Sequence, residues 1–332
     1  MLDRARAPRH PARSIAPDVK TLPELFLTRV DRSPHAPAWR RKVEGKWTAS
    51  TWRDFYEAAA ACATWLLDAG LQRGEKLTIV GSTRPEWCIA DVGGLLAGAV
   101  TVGAYPTLTA EQLEYILEHS DSRFAIVEDA EQLAKVLGAR ARLGKLERIL
   151  VWDAAALDDA AGAGDYVLPF ARVLEPRPDR RRIEERTRSV EPKDTAIIVY
   201  TSGTTGPPKG AMISHENIVT LLGGSSVVEM DENDSALSFL PMAHVAERVL
   251  AFYGRINYGT STAFATSVPA VLEELKEVTP TVIGSVPRIF EKAYARVQSE
   301  VEKAPPKKQK VFRWAESVGH EVVQLWQAGK PI

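Results

Sequence analysis

The residue types best suited to chemistry lie in one short segment, Tyr200–Gly210, which reads YTSGTTGPPKG. It follows Ala196–Val199, an apolar run typical of a strand buried on both faces of a parallel sheet. Glycines let the backbone adopt positive φ and approach a bulky anion, hydroxyls donate hydrogen bonds, and a lysine adds positive charge. Successive backbone N–H groups in such a turn also bind anions. The segment therefore predicts a polyphosphate site formed by Thr201, Ser202, Gly203, Thr204, Thr205, Gly206 and Lys209.

The spacing distinguishes this segment from other phosphate loops. A Walker A loop needs Gly-Lys followed by Ser or Thr, whereas Lys209 lies between Pro208 and Gly210. A Walker-type NTPase or a kinase is therefore disfavoured. A surface loop without function is disfavoured as well, because six consecutive hydroxyl or glycine residues, 201–206, connect a buried strand to the Lys-Gly pair.

The elements that must position this segment alternate between short apolar strands and amphipathic helices, apart from an early hairpin around Glu44-Gly45. Such alternation predicts an α/β fold of mostly parallel sheets flanked by helices. The predicted helices are Thr21–Arg32, Thr51–Ala69, Pro85–Leu96, Thr109–Leu117 and Lys308–Gln327, with others beginning after Ser214 and from Val245, Pro269 and Pro287. The predicted strands are Lys76–Gly81, Ala99–Ala104, Phe124–Val127, Ile149–Trp152, Thr195–Tyr200, Leu237–Leu240, Thr262–Phe264 and Thr281–Gly284.

The organisation of the chain follows from the same pattern. We expect a disordered tail over residues 1–20, a first α/β lobe over 21–190, and a partial second lobe over 191–332 that contains the glycine-rich loop. Pro176–Arg188 mixes acids and bases and is interpreted as a solvated connector. The last helix is expected to be a core helix, because one face aligns Val311, Ala315, Val318, Val322 and Leu325.

Composition excludes several classes of protein. The 332 residues are 45% hydrophobic, enough for a buried core, and the net charge of −1 argues against nucleic acid as a partner. Cys62 and Cys88 are too few for a disulfide scaffold. The longest apolar stretch, Val92–Tyr105, has 14 residues, too few to span a membrane. The Arg-rich start of the chain has no secretory h-region. A cytoplasmic location is expected, with peripheral membrane contact and oligomeric state left open.

Four segments together resemble a known family. YTSGTTGPPKG is similar to the phosphate-binding motif of the adenylate-forming (AMP-binding) superfamily. Thr83–Trp87 (TRPEW), Phe239–Arg248 (FLPMAHVAER) and Val286–Lys292 (VPRIFEK) resemble motifs of its long-chain fatty-acid–CoA ligase branch. The resemblance runs from about Leu22 to the end of the sequence.

The resemblance implies a two-step reaction: a fatty-acid carboxylate attacks the α-phosphorus of ATP, and coenzyme A, as co-substrate, then displaces AMP. It places the β- and γ-phosphates in the loop Thr201–Lys209 and gives Thr201 or Thr204 a role in holding Mg²⁺. It also places His244, the candidate catalytic residue, beside the adenylate and the acyl carboxylate. Glu247 and Arg248 are expected either to support the site or to form an ion pair on a helix surface. Arg84 and Arg288, at helix starts, are not expected to be ligands.

The sequence also departs from the family pattern. The Tyr-Gly-x-Thr-Glu motif with its magnesium-holding Glu, the ribose-binding Asp and the C-terminal domain with its Lys are not identifiable. Tyr258–Thr262 imitates the first motif without the Glu. We therefore expect an N-terminal fragment that does not complete the reaction alone. An adenylate-former for a short or aromatic acid, or a non-catalytic nucleotide-binding module, remains the alternative, and acyl chain length cannot be derived from these motifs.

Overall fold

The computed structural model describes residues 14–153, 155–157, 164–201, 206–224 and 230–330. These fall into two compact units, one that extends to Ile283 and one that begins at Gly284. Each unit is described by itself. The strands, all in the first unit, are β1 Pro37–Val43, β2 Lys46–Thr51, β3 Lys76–Val80, β4 Val100–Ala104, β5 Ser122–Val127, β6 Arg148–Val151, β7 Val167–Pro169, β8 Thr195–Thr201, β9 Lys209–Ser214, β10 Ser235–Ser238 and β11 Ser261–Phe264.

The strands form two sheets of different size. The larger sheet has the order β7-β6-β5-β3-β4-β8-β9, in which all neighbours are parallel except the antiparallel pair β8 and β9. The smaller sheet has the order β10-β11-β1-β2 and combines the hairpin β1–β2 with two parallel pairs. The predicted α/β class with mostly parallel sheets is therefore confirmed.

Sheet membership does not follow the order of the chain. The smaller sheet combines strands from residues 37–51 and 235–264, and the larger sheet is built from the residues between them. The predicted boundary at residue 190 falls before β8 and β9, which belong to the larger sheet together with the strands that precede them.

Helices cover the sheets, and local sequence signals explain where several of them begin. Thr21, Thr51 and Thr109 each start a helix with a capping box, in which the Thr side chain and the residue three positions later satisfy each other's backbone N–H groups. The helices of the first unit are α1 Leu22–Arg32, α2 Trp52–Asp68, α3 Pro85–Leu96, α4 Ala110–His119, α5 Ala130–Ala139, α6 Arg180–Ser189, α7 His215–Gly224, a π-helix Ala246–Tyr253, α8 Gly254–Tyr258 and α9 Val271–Val278, with 3₁₀ turns at Ala16–Asp18, Arg140–Arg142, Gly164–Tyr166 and Phe170–Leu174.

Two apolar clusters cover opposite faces of the larger sheet. Leu77 and Ile79 of β3 lie in the cluster that includes α2 and α3, whereas Val80 lies in the cluster that includes α4 and α5. This division follows from the alternation of side chains along a strand. Both faces of β3, β4 and β5 are therefore buried, which explains why these strands read as continuous apolar runs. Cys62 and Cys88 are buried free thiols.

Several predictions about individual elements were wrong. The segment Pro176–Arg188 is not a connector, because residues 180–189 form α6. Its alternating charges pair one helical turn apart, Arg180 with Glu184 and Arg181 with Glu185, and they stabilise a helix whose inner face buries Ile183 and Thr187.

The predicted strand Thr281–Gly284 is absent from the described part of the chain, where only an isolated bridge joins Val282 to Ala236. The predicted disorder over residues 1–20 does not include 14–20. Ile15 is buried there, and its N–H donates to Asn257 Oδ1 at 2.8 Å.

The second unit contains two helices, α10 Pro287–Lys303 and α11 Pro306–Gln327. Neither helix has a buried residue. Val311 and Val318, part of the apolar stripe on the last helix, are 62% and 41% exposed, so the prediction of a core helix was wrong for this chain. Among the described helices, none is both long enough and apolar enough to cross a bilayer.

Candidate functional site

The base of the glycine-rich loop is a pair of antiparallel strands. β8 ends at Thr201 and β9 begins at Lys209, and these two residues are cross-strand partners. The pairing brings the first hydroxyl and the lysine of the predicted phosphate site to the same end of the sheet. Both residues are exposed. Ser202, Gly203, Thr204 and Thr205, which complete the prediction, lie outside the described residues.

Gly206 has the backbone conformation that the motif requires. Its φ of +96° lies in the region that residues with a Cβ rarely adopt, and among the described residues no atom lies within 4 Å of the position a Cβ would take. Glycine is therefore needed here for the path of the backbone and not for close packing.

Helix α4 contacts Tyr200 and Pro208, on either side of the loop residues 202–205, and nothing in the sequence predicts these contacts. The Tyr115 hydroxyl donates to the carbonyl oxygen of Pro208 at 3.1 Å, and His119 Nδ1 lies 2.8 Å from the Tyr200 hydroxyl. Tyr115 and His119 are one helical turn apart and their rings stack. Burial raises the pKa of Tyr200 to about 12, so this phenol stays neutral. In the sequence, the i, i+4 spacing of these two aromatic residues indicates that their rings share one face of α4. It does not indicate which residues that face contacts.

The candidate residue His244 ends a turn that follows β10, and we refer to Phe239–His244 as the His244 turn. Its imidazole is exposed, and Nδ1 accepts a hydrogen bond from the Ala246 N–H at 3.1 Å. Because Nδ1 is the acceptor, the proton of the neutral ring lies on Nε2. The exposed Nε2–H can therefore donate to a carboxylate or a phosphate oxygen.

Two contacts hold the His244 turn on the larger sheet. The Thr83 hydroxyl, just beyond β3, donates to the Leu240 carbonyl oxygen at 2.6 Å and accepts from the Met242 N–H at 3.2 Å. On β4, a Cβ at Gly103 would lie only 3.0 Å from Ala243 Cα. The turn therefore packs directly against the backbone of β4 at a position without a side chain. β4 pairs with β8, and the His244 turn therefore lies on the strand adjacent to the one that leads into the glycine-rich loop.

Glu247 and Arg248, adjacent in the π-helix, are both buried and pair with different partners. Arg248 Nη2 lies 2.5 Å from Asp91 Oδ1, and Glu247 Oε1 lies 2.6 Å from Arg255 Nη2. The predicted alternative of an ion pair on a helix surface was wrong. π-Helical turns are frequent at functional sites, and this one begins two residues after His244.

A cavity of about 790 Å³ lies where the carboxyl ends of strands from both sheets meet. Residues after β3, β10 and β11 line it, including Thr83, Arg84, Glu86 and Phe239, but His244 does not. Arg84 forms ion pairs with Glu86 at 2.8 Å, Glu128 at 3.2 Å and Asp153 at 3.3 Å. Three carboxylates therefore already offset the charge of its guanidinium. Arg288 belongs to the second unit, in α10.

Two further observations concern the residues that could hold a metal ion. Within the described ranges, no three His, Cys, Asp or Glu side chains form a cluster suited to a metal ion. The segment Tyr258–Thr262, which imitates a family motif, connects α8 to β11, and Gly259, at a φ of +81°, is the C-terminal cap of α8.

The chain matches known proteins over most of its length. The model of the AMP-binding enzyme family matches residues 26–331. Among curated relatives, the human long-chain-fatty-acid–CoA ligase ACSBG2 is 32% identical over 317 residues, which are 93% of this chain and 47% of that protein. The long-chain-fatty-acid–CoA ligase FadD15 of Mycobacterium tuberculosis is 32% identical over 270 residues, 79% of this chain and 42% of that protein.

Solved structures agree on the fold. The adenylation domain of a carboxylate reductase from Mycobacterium chelonae superposes with a TM-score of 0.74 at 22% identity, over 88% of this chain and 50% of that one. The chain spans about half the length of the curated relatives it matches. The family match over residues 26–331, together with this fold, establishes that the chain belongs to the AMP-binding enzyme family.

Proposed function

We propose that this chain belongs to an enzyme that activates a long-chain fatty acid. The glycine-rich loop would bind the phosphates of ATP, and the His244 turn would contact the carboxylate of the fatty acid. In the first step a carboxylate oxygen attacks the α-phosphorus of ATP, and the bond to pyrophosphate breaks. In the second step the thiol of coenzyme A attacks the acyl carbonyl, AMP leaves, and the thiol proton is released. Both steps depend mainly on positioning and on neutralisation of charge.

The observation that carries the proposal is the pairing of Thr201 with Lys209 at the base of the glycine-rich loop. It places one hydroxyl-bearing residue and one cation at the same end of the sheet, on either side of the segment rich in glycine and hydroxyl residues, which suits the β- and γ-phosphates of ATP. Relatives at about 30% identity that are named long-chain-fatty-acid–CoA ligases support the choice of acid.

The remaining roles follow from the chemistry of the side chains. A threonine hydroxyl is a hard oxygen donor that suits Mg²⁺ alongside phosphate oxygens, and we assign that role to either Thr201, which is exposed, or Thr204. When bound, Mg²⁺ would neutralise phosphate charge. The Nε2–H of His244 would donate to the acyl carboxylate or the α-phosphate and orient it.

Titration of the chain with ATP tests the phosphate assignment. Lys209→Ala removes a charge-assisted contact worth about 1.5–3 kcal/mol, so ATP affinity is expected to fall roughly 10-fold to 150-fold. Lys193→Ala, at an exposed lysine just before β8, serves as the control and should leave the affinity unchanged. Equal affinities for Lys209→Ala and the unsubstituted chain would contradict the proposal and favour a non-catalytic module.

Acid selectivity requires a second measurement, the exchange of labelled pyrophosphate into ATP by the whole enzyme. Carboxylates of increasing chain length should give increasing exchange, with hexadecanoate well above butanoate and benzoate. Exchange that is greatest with benzoate or butanoate would instead identify an enzyme for aromatic or short acids.

A further inference from the structure

The π-helix after His244 is held by a buried polar network that the proposed reaction does not use. Arg248 is 0% exposed, and its Nη2 contacts Asp91 Oδ1 of α3 and the Thr101 hydroxyl of β4. The Tyr253 hydroxyl donates to the second oxygen, Asp91 Oδ2, at 2.7 Å. The guanidinium also lies over the Trp87 ring, 5.0 Å from its centroid. One arginine thereby joins the π-helix to a helix and a strand of the larger sheet.

The second buried pair faces the smaller sheet. Glu247 Oε1 accepts hydrogen bonds from Arg255 and from the Ser238 hydroxyl, 2.5 Å away in the last residue of β10. Adjacent residues of the π-helix are therefore fixed to different sheets. The His244 turn connects β10 to this helix, so its position relative to both sheets depends on these two contacts.

The same arginine approaches the strand beneath the His244 turn. A Cβ at Gly103 would lie 3.4 Å from Arg248 Nη1 as well as 3.0 Å from Ala243 Cα. Nη1 has no hydrogen-bond partner among the described residues. The guanidinium and the turn thus both pack over Gly103, which has no side chain. On the adjacent strand β8, Gly103 pairs with Val199.

We infer that Arg248 is a positioning residue, which sets the position of His244 relative to Thr201 at the end of β8 by fixing the His244 turn to β4 through Asp91 and Thr101. A salt bridge that excludes water and has several donors and acceptors in one geometry suits this role, because it allows only one arrangement. The inference rests on the proposed function in one respect, namely that His244 contacts the acyl-adenylate.

Hydrogen–deuterium exchange of the chain without any ligand tests the positioning itself. The amides of Met242, His244 and Ala246 are bonded within the turn or to Thr83, so their exchange reports on its order. Gly103→Ala keeps every charge but displaces Ala243, and Arg248→Lys keeps the charge but not the forked geometry. Both should speed exchange in residues 239–246 by about tenfold or more, while β3 stays protected.

Gly138→Ala is the matched control, because in the described part of the chain no atom lies within 4 Å of the added Cβ in α5. If Gly103→Ala and Arg248→Lys leave exchange in residues 239–246 equal to that of this control, the inference is overturned. The same holds if exchange rises equally in every strand, since that result shows a general loss of stability without a specific effect on the turn.

Binding of hexadecanoyl sulfamoyl-adenosine, a stable analogue of the acyl-adenylate, then tests the link to function. The two variants should weaken its binding by about tenfold and change ATP binding less than twofold. In a double-mutant cycle with His244→Ala, the losses should not add, because Arg248 acts through His244. Additive losses would overturn the inference. Failure of the unsubstituted chain to bind the analogue would reject the proposed function, while the exchange experiment would still decide the positioning.

Discussion

Acidification should destabilise this protein through one buried histidine. His215, the first residue of α7, is 2% exposed, and its Nδ1 accepts a hydrogen bond from the Leu22 N–H at 3.2 Å. Burial lowers the pKa of His215 from 6.5 to about 4. Protonation would charge a buried ring and turn an acceptor toward Leu22 into a donor, so it opposes the folded state.

The size of the effect follows from these two pKa values. The unfolded chain binds one more proton than the folded chain between pH 6.5 and pH 4, so stability falls as the pH falls through this window. The free energy of unfolding should decrease by about 2 kcal/mol between pH 7 and pH 5, and by roughly 3 kcal/mol once pH 4 is reached. Above pH 6.5 the contribution of His215 is fully present.

Urea unfolding at a series of pH values, followed by tryptophan fluorescence, measures this loss. His215→Gln keeps a hydrogen-bond acceptor without a titratable group. Between pH 7 and pH 5, the free energy of unfolding of this variant should therefore decrease by about 2 kcal/mol less than that of the unsubstituted chain. His35→Gln, at an exposed histidine, is the control and should follow the unsubstituted chain. Identical pH profiles for His215→Gln and the unsubstituted chain would refute the reasoning.

Two substitutions and one labelling experiment test other features of the structure. Asp91→Asn removes the carboxylate partner of a buried arginine and should lower the free energy of unfolding by about 3–5 kcal/mol in a denaturant titration. Gly206→Ala introduces a Cβ at a φ of +96° and should cost about 1 kcal/mol, with weaker ATP binding by calorimetry. Burial raises the pKa of Cys62 to about 12, so a thiol reagent at pH 8 should label neither Cys62 nor Cys88 until denaturant is added; rapid labelling of the folded chain would contradict their burial.

Features determined by neighbouring residues could be predicted from the sequence. The capping boxes at Thr51 and Thr109 and the proline that begins α3 identify helix starts because they satisfy or remove local N–H donors. The backbone conformation of Gly206 could be predicted for a similar reason, since a glycine needs no distant partner to adopt a positive φ.

Features determined by distant contacts could not be predicted. Glu247 and Arg248 look like a surface pair in sequence, and only the fold brings Asp91, from 157 positions away, to the arginine. Strand β9 was missed because none of its residues is buried and they follow Pro-Pro; its pairing with β8 reveals it. The stripe on α11 met the helical periodicity of a core helix, but periodicity does not specify whether another element covers the face.

The interleaving of the two sheets has a consequence for how the chain folds. Trp39 of β1 pairs with Thr262 of β11, so the smaller sheet cannot close until about 220 further residues have been synthesised. The β1–β2 hairpin must wait with the β11-facing edge of β1 unpaired, while the strands of the larger sheet can form from residues closer together in sequence. A nascent chain shorter than about 264 residues therefore presents β1 with an open edge and Trp39 without its contact to Phe264, the kind of surface that chaperones bind and that aggregates.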